Sequence, residues 1–461
     1  MSSLSKEQVF SLIHNASQKQ EQQPNVIHTD VFIAGSGPIA AAYARKIIDN
    51  GTSRVLMVEI GSQDNPIIGE HHKNAIKYQK DIDKFTYVIN GALQAISTPP
   101  ADTFIATLGG SGWTPSSTDV LVFQGSNSNQ QEDLNLKASA VTRGVGGMAT
   151  HWTCACPFPH EEERVHNPID KAELDKLLHA SHALLNVHAD QYDSSIRHSV
   201  VKSTLLKALP ASRGVQNLPL AVERRADNPQ YVTWTGPNTI LGDAVHHKNF
   251  TLKAETRVTR LIHNPEQPDK ILGALIKDLR TNSEIVVIAK AYVVACGAVG
   301  TPQVLANSGL ENMLPALGRN LCEQSIAFCQ IVLKREIIDG IRNNPEFVEK
   351  VRAHHERYPT DPLPIPFSDP EPQVMIPYTT EFPHHVQVHR DAFSYGDVGP
   401  RADSRVVVDL RFFGKQDINP DNMVYFGRKK GLSEWIPGST DMYGMPQATV
   451  CGLCYDIHDS P

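Results

Sequence analysis

The sequence predicts an α/β fold class: a parallel sheet with crossover helices, joined to a second, sheet-based α+β domain. Three observations carry that prediction. Residues 31–34 form a short apolar run that stops at Gly35-Ser36-Gly37; a helical pattern then opens at Pro38, and a second apolar run, 55–58, ends in the acid Glu59. Residues 291–310 repeat this logic, with an apolar strand, a Cys296-Gly297 turn and a helix expected to begin at Thr301-Pro302. Strand-like alternation recurs near 251–262, 271–276 and 284–289, as for a hairpin layer laid over the parallel sheet.

The first unit reads as a Rossmann-type β-α-β with a dinucleotide fingerprint. Gly35 allows the tight turn, Gly37 lets the backbone approach a pyrophosphate, and Ala40 lets the helix pack close to the strand. The helix start offers unpaired N–H groups to phosphates, and Glu59 can accept a ribose hydroxyl. G-x-G-x-x-A alone also fits a glycine turn in an ordinary sheet; strand, helix and acid in register point to a bound dinucleotide.

A chain of 461 residues is too long for one core, so at least two domains are expected. Apolar content of 40% and charged content of 20% suit a soluble globular protein, and a net charge of −7 argues against nucleic-acid or anionic-membrane partners. No stretch approaches the ~18 consecutive apolar residues of a spanning helix. The first 25 residues are polar and Gln-rich, lack the apolar centre of a secretory signal, and read as a flexible arm over 1–27. Seven cysteines without a regular framework suggest reduced thiols and an intracellular fold. Cys154 and Cys156 stand too close for a zinc pair, and Cys451, Cys454 and His458 make half a site, so no metal is expected.

In chain order, residues 61–140 have loop composition, and 170–187 form an amphipathic helix with Leu174, Leu177, Leu178, Leu184 and Leu185 on one side. The Pro-rich run 359–372 reads as an extended surface connector, and 403–413 alternate as a strand. No internal repeat is evident. The segment from Thr142 to Trp152 sets small residues beside a His-Trp pair, which suits a backbone passing tightly against a flat aromatic ligand. His151 is open to two readings: a buried histidine satisfied by backbone hydrogen bonds, or a covalent tether to a flavin ring.

Gly35-Ser-Gly-Pro-Ile39, Arg143-Gly-Val-Gly-Gly-Met-Ala-Thr-His-Trp-Thr153 and Ala295-Cys-Gly-Ala-Val-Gly-Thr-Pro-Gln-Val-Leu-Ala-Asn-Ser-Gly309, in that order, resemble the glucose–methanol–choline oxidoreductases. Four further runs bring the chain close to the sugar-oxidising branch of that family: Thr150-His-Trp-Thr-Cys154, His389-Arg-Asp-Ala-Phe-Ser-Tyr-Gly396, Asp361-Pro-Leu-Pro-Ile-Pro-Phe-Ser-Asp-Pro-Glu-Pro-Gln373 and Arg411-Phe-Phe-Gly414. The likeness covers about residues 28–449. It implies FAD joined through its 8α-methyl group to His151, with Thr153 near flavin N5. Thr142 and Arg143 would line the flavin and its phosphates, and Gly147, Met148 and Trp152 would complete the cofactor contacts. Covalent attachment would raise the flavin potential and prevent its loss.

Residues 385–397 crowd His385, Gln387, His389, Asp391, Phe393, Ser394, Tyr395 and Asp397 into one loop-like run. Hydroxyls need directional partners and sugar C–H faces stack on rings, although a solvated hairpin has the same composition. The resemblance implies a mobile substrate loop in which Gln387, His389 and Asp391 contact sugar hydroxyls while Phe393 and Tyr395 shape and gate the pocket. It implies oxidation of an aldopyranose of the D-glucose class at C2, hydride transfer to flavin N5, and reoxidation by O2, giving hydrogen peroxide, or by a quinone. A histidine base fits the proton removal, and His389 can assist it.

The expected organisation is an FAD-binding domain (28–142 and 235–325), a substrate domain (143–234 and 326–449) and a divergent tail (450–461). The resemblance implies a homotetramer with contacts near 92–115, and an intracellular or peripheral compartment of a fungus. No residue here matches the His–Asn pair that the family carries beyond the matched region. One alternative is therefore a truncated, catalytically weak or inactive flavoprotein of this type; the others are a nicotinamide-dependent dehydrogenase and a flavin-free sugar-binding protein.

Overall fold

Four strands run parallel in the order Ala291–Val294, Val31–Ala34, Val55–Val58 and Phe250–Lys253. Two of the runs, Val-Phe-Ile-Ala and Val-Leu-Met-Val, are wholly apolar because both faces of the sheet are covered. Alternation divides them cleanly. Ile33, Val55 and Met57 face helices Pro38–Asn50 and Pro237–Leu241, where Ala40, Ala41 and Ala44 allow close approach. Phe32, Ala34, Leu56 and Val58 face the other way, onto Val258, Leu261, Ala274, Ile276 and Val287 of a second sheet. A computed structural model describes residues 5–18, 25–80, 84–85, 88–89, 93–95, 139–264, 266–267, 269–390, 402–427, 440–441 and 443–451.

The second sheet is the expected hairpin layer. Thr256–His263, Ile271–Asp278 and Glu284–Ile288 form an antiparallel meander, and Val26–His28 adds in parallel at its edge. The run expected as one strand over 251–262 breaks at Glu255, whose φ is +49°. Phe250–Lys253 thereby stays in the parallel sheet, and Thr256–His263 crosses to the meander. The amino-terminal region, expected as a flexible arm, contains helix Lys6–Gln18. Its Val9 and Ile13, one turn apart, are buried against Ile262, Leu275 and Val286. Two apolar residues at helical spacing in polar surroundings are a weak local signal, and tertiary contact makes the difference.

A third sheet is antiparallel, in the order Ser325–Val332, Val407–Gly414, His384–His389, Val374–Ile376 and Gln216–Asn217. Helix Ile196–Ala208 lies on one face, where Val201 meets Val374, Val386, Val388 and Val408. Helix Lys171–Leu184 forms as expected and is capped by Asp170, which accepts from the N–H groups of Ala172 and Glu173. Helix Gly297–Asn307 begins four residues earlier than expected and carries Pro302 inside it. Among the described residues no helix is long and apolar enough to cross a membrane. Residues 92 and 96–115 of the expected subunit contact, and Cys454 and His458, lie outside the described residues.

The Pro-rich run differs most from expectation: it is an anchor, not a surface connector. Ile365 is fully buried. Asp361 accepts from both terminal nitrogens of Arg405 (2.6 and 3.0 Å), whose guanidinium stacks 4.1 Å from the Phe367 ring. Asp369, 9% exposed, caps helix Ile196–Ala208 from far along the chain: its carboxylate accepts from Ile196 N, Arg197 N and Ser195 Oγ at 2.9–3.1 Å. Prolines keep the run extended while its carboxylates find buried donors. Asp369→Ala leaves the Ile196 and Arg197 N–H groups without their acceptor and takes one of two carboxylates from beside the buried Arg197 guanidinium, and is expected to destabilise the protein by about 3 kcal/mol. A lower midpoint of guanidinium unfolding checks this, and Asp369→Asn, which retains an acceptor, is expected to lose less.

Candidate active site

The fingerprint turn is built by close backbone crossings. Gly35 has φ +94°, and a Cβ there would sit 2.3 Å from Ala295 O of the neighbouring strand, so glycine is required. Gly37 caps helix Pro38–Asn50 without a side chain, and nothing lies within 4 Å of the position a Cβ would take. The helix start therefore faces open space with its first N–H groups free of any side-chain cap, an arrangement suited to an anion. Glu59, 6% exposed, ends the next strand. Its Oε2 accepts from Ser36 N (3.1 Å) and Oγ (2.7 Å), and its Oε1 from Gly61 N (3.1 Å). Burial pushes its pKa up, and these three donors oppose the shift. Oε2 has both acceptor sites in use, and Oε1 keeps lone-pair capacity for one more donor.

The segment from Thr142 crosses this turn. Gly146 N donates to Ser36 Oγ (2.9 Å), and a Cβ on Gly147 (φ +56°) would lie 3.2 Å from Gly37 Cα. Gly147–Thr150 forms a single tight turn that exposes Met148 and buries Thr150 and His151. His151 Nε2 lies 2.8 Å from Thr142 Oγ1. The Trp152 indole donates to Thr235 O (2.8 Å), and the Trp152 carbonyl accepts from His71 Nε2 (2.9 Å). Thr153 is half-buried beside Cys154, a buried residue with φ +58°. Arg143 turns to Asp441: Nη2 is 3.4 Å from Oδ2, and the guanidinium stacks 4.4 Å from the Tyr443 ring. Asp441 also accepts from Gln303 Nε2 and from the N–H groups of Tyr443 and Met445.

On the third sheet, the run expected as a loop is, as far as His389, a core strand. Val386 and Val388 face the helix, so His385, Gln387 and His389 share the opposite face with their register partners Phe413, Arg411 and Asp409. Gln387 and His389 are 5% and 2% exposed. Gln387 Nε2 lies 3.2 Å from His385 Nε2, and His385 stacks on Phe413 with centroids 4.8 Å apart. Asp409 accepts from Gln330 Nε2 (3.0 Å). Asp391, Phe393 and Tyr395 lie outside the described residues.

Two groups fall together: the fingerprint turn with Glu59 and the segment from Thr142 to Thr153, and separately the polar sheet face with Gln387 and His389. Sequence reading missed His71 and Asp441, whose partners are remote in the chain. It also missed Asp409 and Arg411, although the alternation over 403–413 set them on one face.

Residues 213–326 match the family model for GMC oxidoreductases. The pyranose 2-oxidase of Tricholoma matsutake is 58% identical over 452 residues, covering 97% of this chain and 79% of that protein. The pyranose 2-oxidase of Lyophyllum shimeji is 40% identical, over 97% of this chain and 80% of that protein. Among solved structures, a formate oxidase from Aspergillus oryzae superposes with a TM-score of 0.51 at 14% identity, over 89% of this chain and 76% of that one; this likeness speaks for the fold alone.

His385 gives this site a pH signature. Burial first, and the neighbouring His384 second, push its pKa from 6.5 to about 4. The unfolded chain thus binds this proton more readily than the folded one, so the contribution is complete above pH 6.5 and lost as pH falls towards 4. The displacement corresponds to about 3 kcal/mol at most. His385→Gln is expected to lose less stability than the wild type between pH 7 and 4.5, as read from urea unfolding at both values.

Proposed function

Because the chain belongs to the glucose–methanol–choline oxidoreductases and, within them, to the pyranose 2-oxidases, we propose that it oxidises aldopyranoses of the D-glucose class at C2 to 2-keto sugars with FAD. The observation that carries this reading is 58% identity across 97% of the chain. The residues fit the cofactor: the open space before Gly37 suits a pyrophosphate, Glu59 retains lone pairs for a ribose hydroxyl, and the backbone from Arg143 to Gly147 runs hard against the fingerprint turn. FAD, when bound, supplies the acceptor for the hydride leaving C2 and is reoxidised by O2, giving hydrogen peroxide, or by a quinone.

The chain's own residues hold and orient. The N–H groups at the start of helix Pro38–Asn50 hold the pyrophosphate, and Ala40 keeps that helix against the sheet. His151, whose imidazole lies against the Thr142 hydroxyl, would carry the flavin covalently; Arg143, Gly147, Met148 and Trp152 would line the cofactor, and Thr153 would stand near its reacting atom. Gln387 and His389 project from a rigid strand, so their hydrogen bonds to sugar hydroxyls form in a water-poor setting where they orient best. His389 assists removal of the C2 hydroxyl proton, Asp391 would contact a sugar hydroxyl, and Phe393 and Tyr395 would shape the pocket. Assembly as a homotetramer belongs to the same reading, and light scattering measures it.

The test begins with acid precipitation of the purified protein. Yellow colour is expected to stay in the pellet, and His151→Ala to release it all to the supernatant. Glucose and O2 are expected to give equimolar hydrogen peroxide and 2-keto sugar. A soluble, folded wild-type chain without flavin would overturn the reading.

A further inference from the structure

His71 is used by none of the roles above, and it is fully buried. Its ring stacks on Trp234 (centroids 5.5 Å apart, 28°) and on Phe85 (5.9 Å, 29°), and Lys73 Nζ lies over the same two rings at 4.2 and 4.8 Å. Nδ1 accepts from Lys73 N at 3.0 Å, so the ring proton belongs on Nε2, which donates to Trp152 O at 2.9 Å. Burial first, then the charges of Lys73, His151 and His72, hold its pKa well below the ordinary value. The ring stays neutral and in one tautomer, a fixed donor aimed at one carbonyl.

That carbonyl belongs to the peptide joining Trp152 to Thr153. No cis peptide occurs among the described residues, so the Thr153 N–H points away from His71. The neighbouring contacts fix other parts of the segment: Thr235 O takes the Trp152 indole N–H, and Cys154 O accepts from Ala221 N. Among the described residues, the His71 contact is the one that bears on the plane of the 152–153 peptide. Trp234, which stacks on His71, is followed by Thr235, which holds the Trp152 indole, so ring and carbonyl are referred to one rigid strand end.

We propose that His71 is a positioning residue for the flavin: by locking the Trp152–Thr153 peptide it sets where His151 and Thr153 stand against the ring system. The proposal rests on the flavin-bearing role given to His151 above. Misplacement of reacting groups by about 1 Å costs on the order of 100-fold in rate, so a lost peptide lock is expected to show in both flavin attachment and reduction.

The test compares His71→Asn with His71→Gln in the full-length protein as expressed. An asparagine amide ends near the place of Nδ1, where it can meet Lys73 N–H, and falls short of Trp152 O; a glutamine amide reaches the place of Nε2. The readouts are the fraction of flavin that stays in the acid pellet, the visible flavin spectrum of the native protein, and the rate of anaerobic bleaching by glucose. The glutamine variant is expected to stay within about twofold of wild type, and the asparagine variant to lose tenfold or more in bleaching rate with a displaced flavin band and less acid-stable flavin. Equal behaviour of the two variants overturns the proposal, whether both match wild type, both fall together or both fail to fold. A wild type whose flavin is released by acid removes the covalent role of His151 alone; the spectra and bleaching rates of the two variants then decide His71. A wild type that binds no flavin overturns both.

Discussion

One buried hydroxyl ties the cofactor side of this protein together. Ser36 Oγ donates to Glu59 (2.7 Å) and accepts from Gly146 N (2.9 Å), so the fingerprint turn, the end of the next strand and the glycine-rich segment meet at a single group with both capacities used. The glycines follow from that meeting. A Cβ on Gly61 would lie 2.2 Å from the carbonyl of Arg143, and a Cβ on Gly146 would lie 2.5 Å from the Thr150 methyl. Between Ser62 and Gly144 the two backbones run as a parallel bridge, closed by Val145 N to Ser62 O at 2.9 Å. A buried carboxylate without donors would be costly enough to neutralise itself. Glu59 is tolerable because the turn it braces supplies two and Gly61 N a third.

The polar face of the third sheet, where the sugar is proposed to bind, uses the opposite device. A strand that turns Val386 and Val388 to the helix presents His385, Gln387 and His389 on the other face, against Asp409, Arg411 and Phe413. Polar groups in such a position require partners, and the pairing strand supplies an acid, a base and a ring in register with them. Rigidity comes from the ladder and chemistry from the face, so a ligand there meets groups that are already placed.

The β-α-β unit, the meander and the helix over 171–184 were legible because period and punctuation agree locally: apolar runs, glycine turns and a capping Asp170 all point one way. The amino-terminal helix was not, since its two buried residues acquire meaning only against Ile262 and Val286. The strand at 384–389 was obscured although His-His-Val-Gln-Val-His alternates, because its dense polar side chains imitate a loop. The start of helix Gly297–Asn307 was misplaced because Pro302 suggested a first turn, whereas it sits six residues inside. The Pro-rich run and His71 fail for a shared reason: their partners, Arg405, Arg197 and Trp152, lie tens of residues away, and a single sequence carries no trace of such contacts.

The glycine-rich segment and the polar sheet face are joined by a short chain of backbone contacts. After Trp152 the segment passes through Cys154, whose left-handed φ of +58° turns it so that Ala155 bridges to Leu220 and Cys156 N donates to Pro219 O. Leu218, Leu220, Ala221 and Trp234 bury Cys154 in one cluster, to which Met375 of the third sheet contributes directly. Leu218 N then donates to Gln373 O, and Gln216–Asn217 pairs with Val374–Ile376 as the sheet's edge strand. Two strands further across stand Arg411 and Asp409, with Gln387 and His389 between. The path from the buried His151 to the polar sheet face therefore runs through hydrogen-bonded and close-packed residues. Close-packed interiors transmit displacement instead of dissipating it. A residue that shifts the Trp152–Thr153 peptide thus moves one end of the path that joins the glycine-rich segment to the polar sheet face, and in the proposed assignment that path sets the spacing of flavin and sugar.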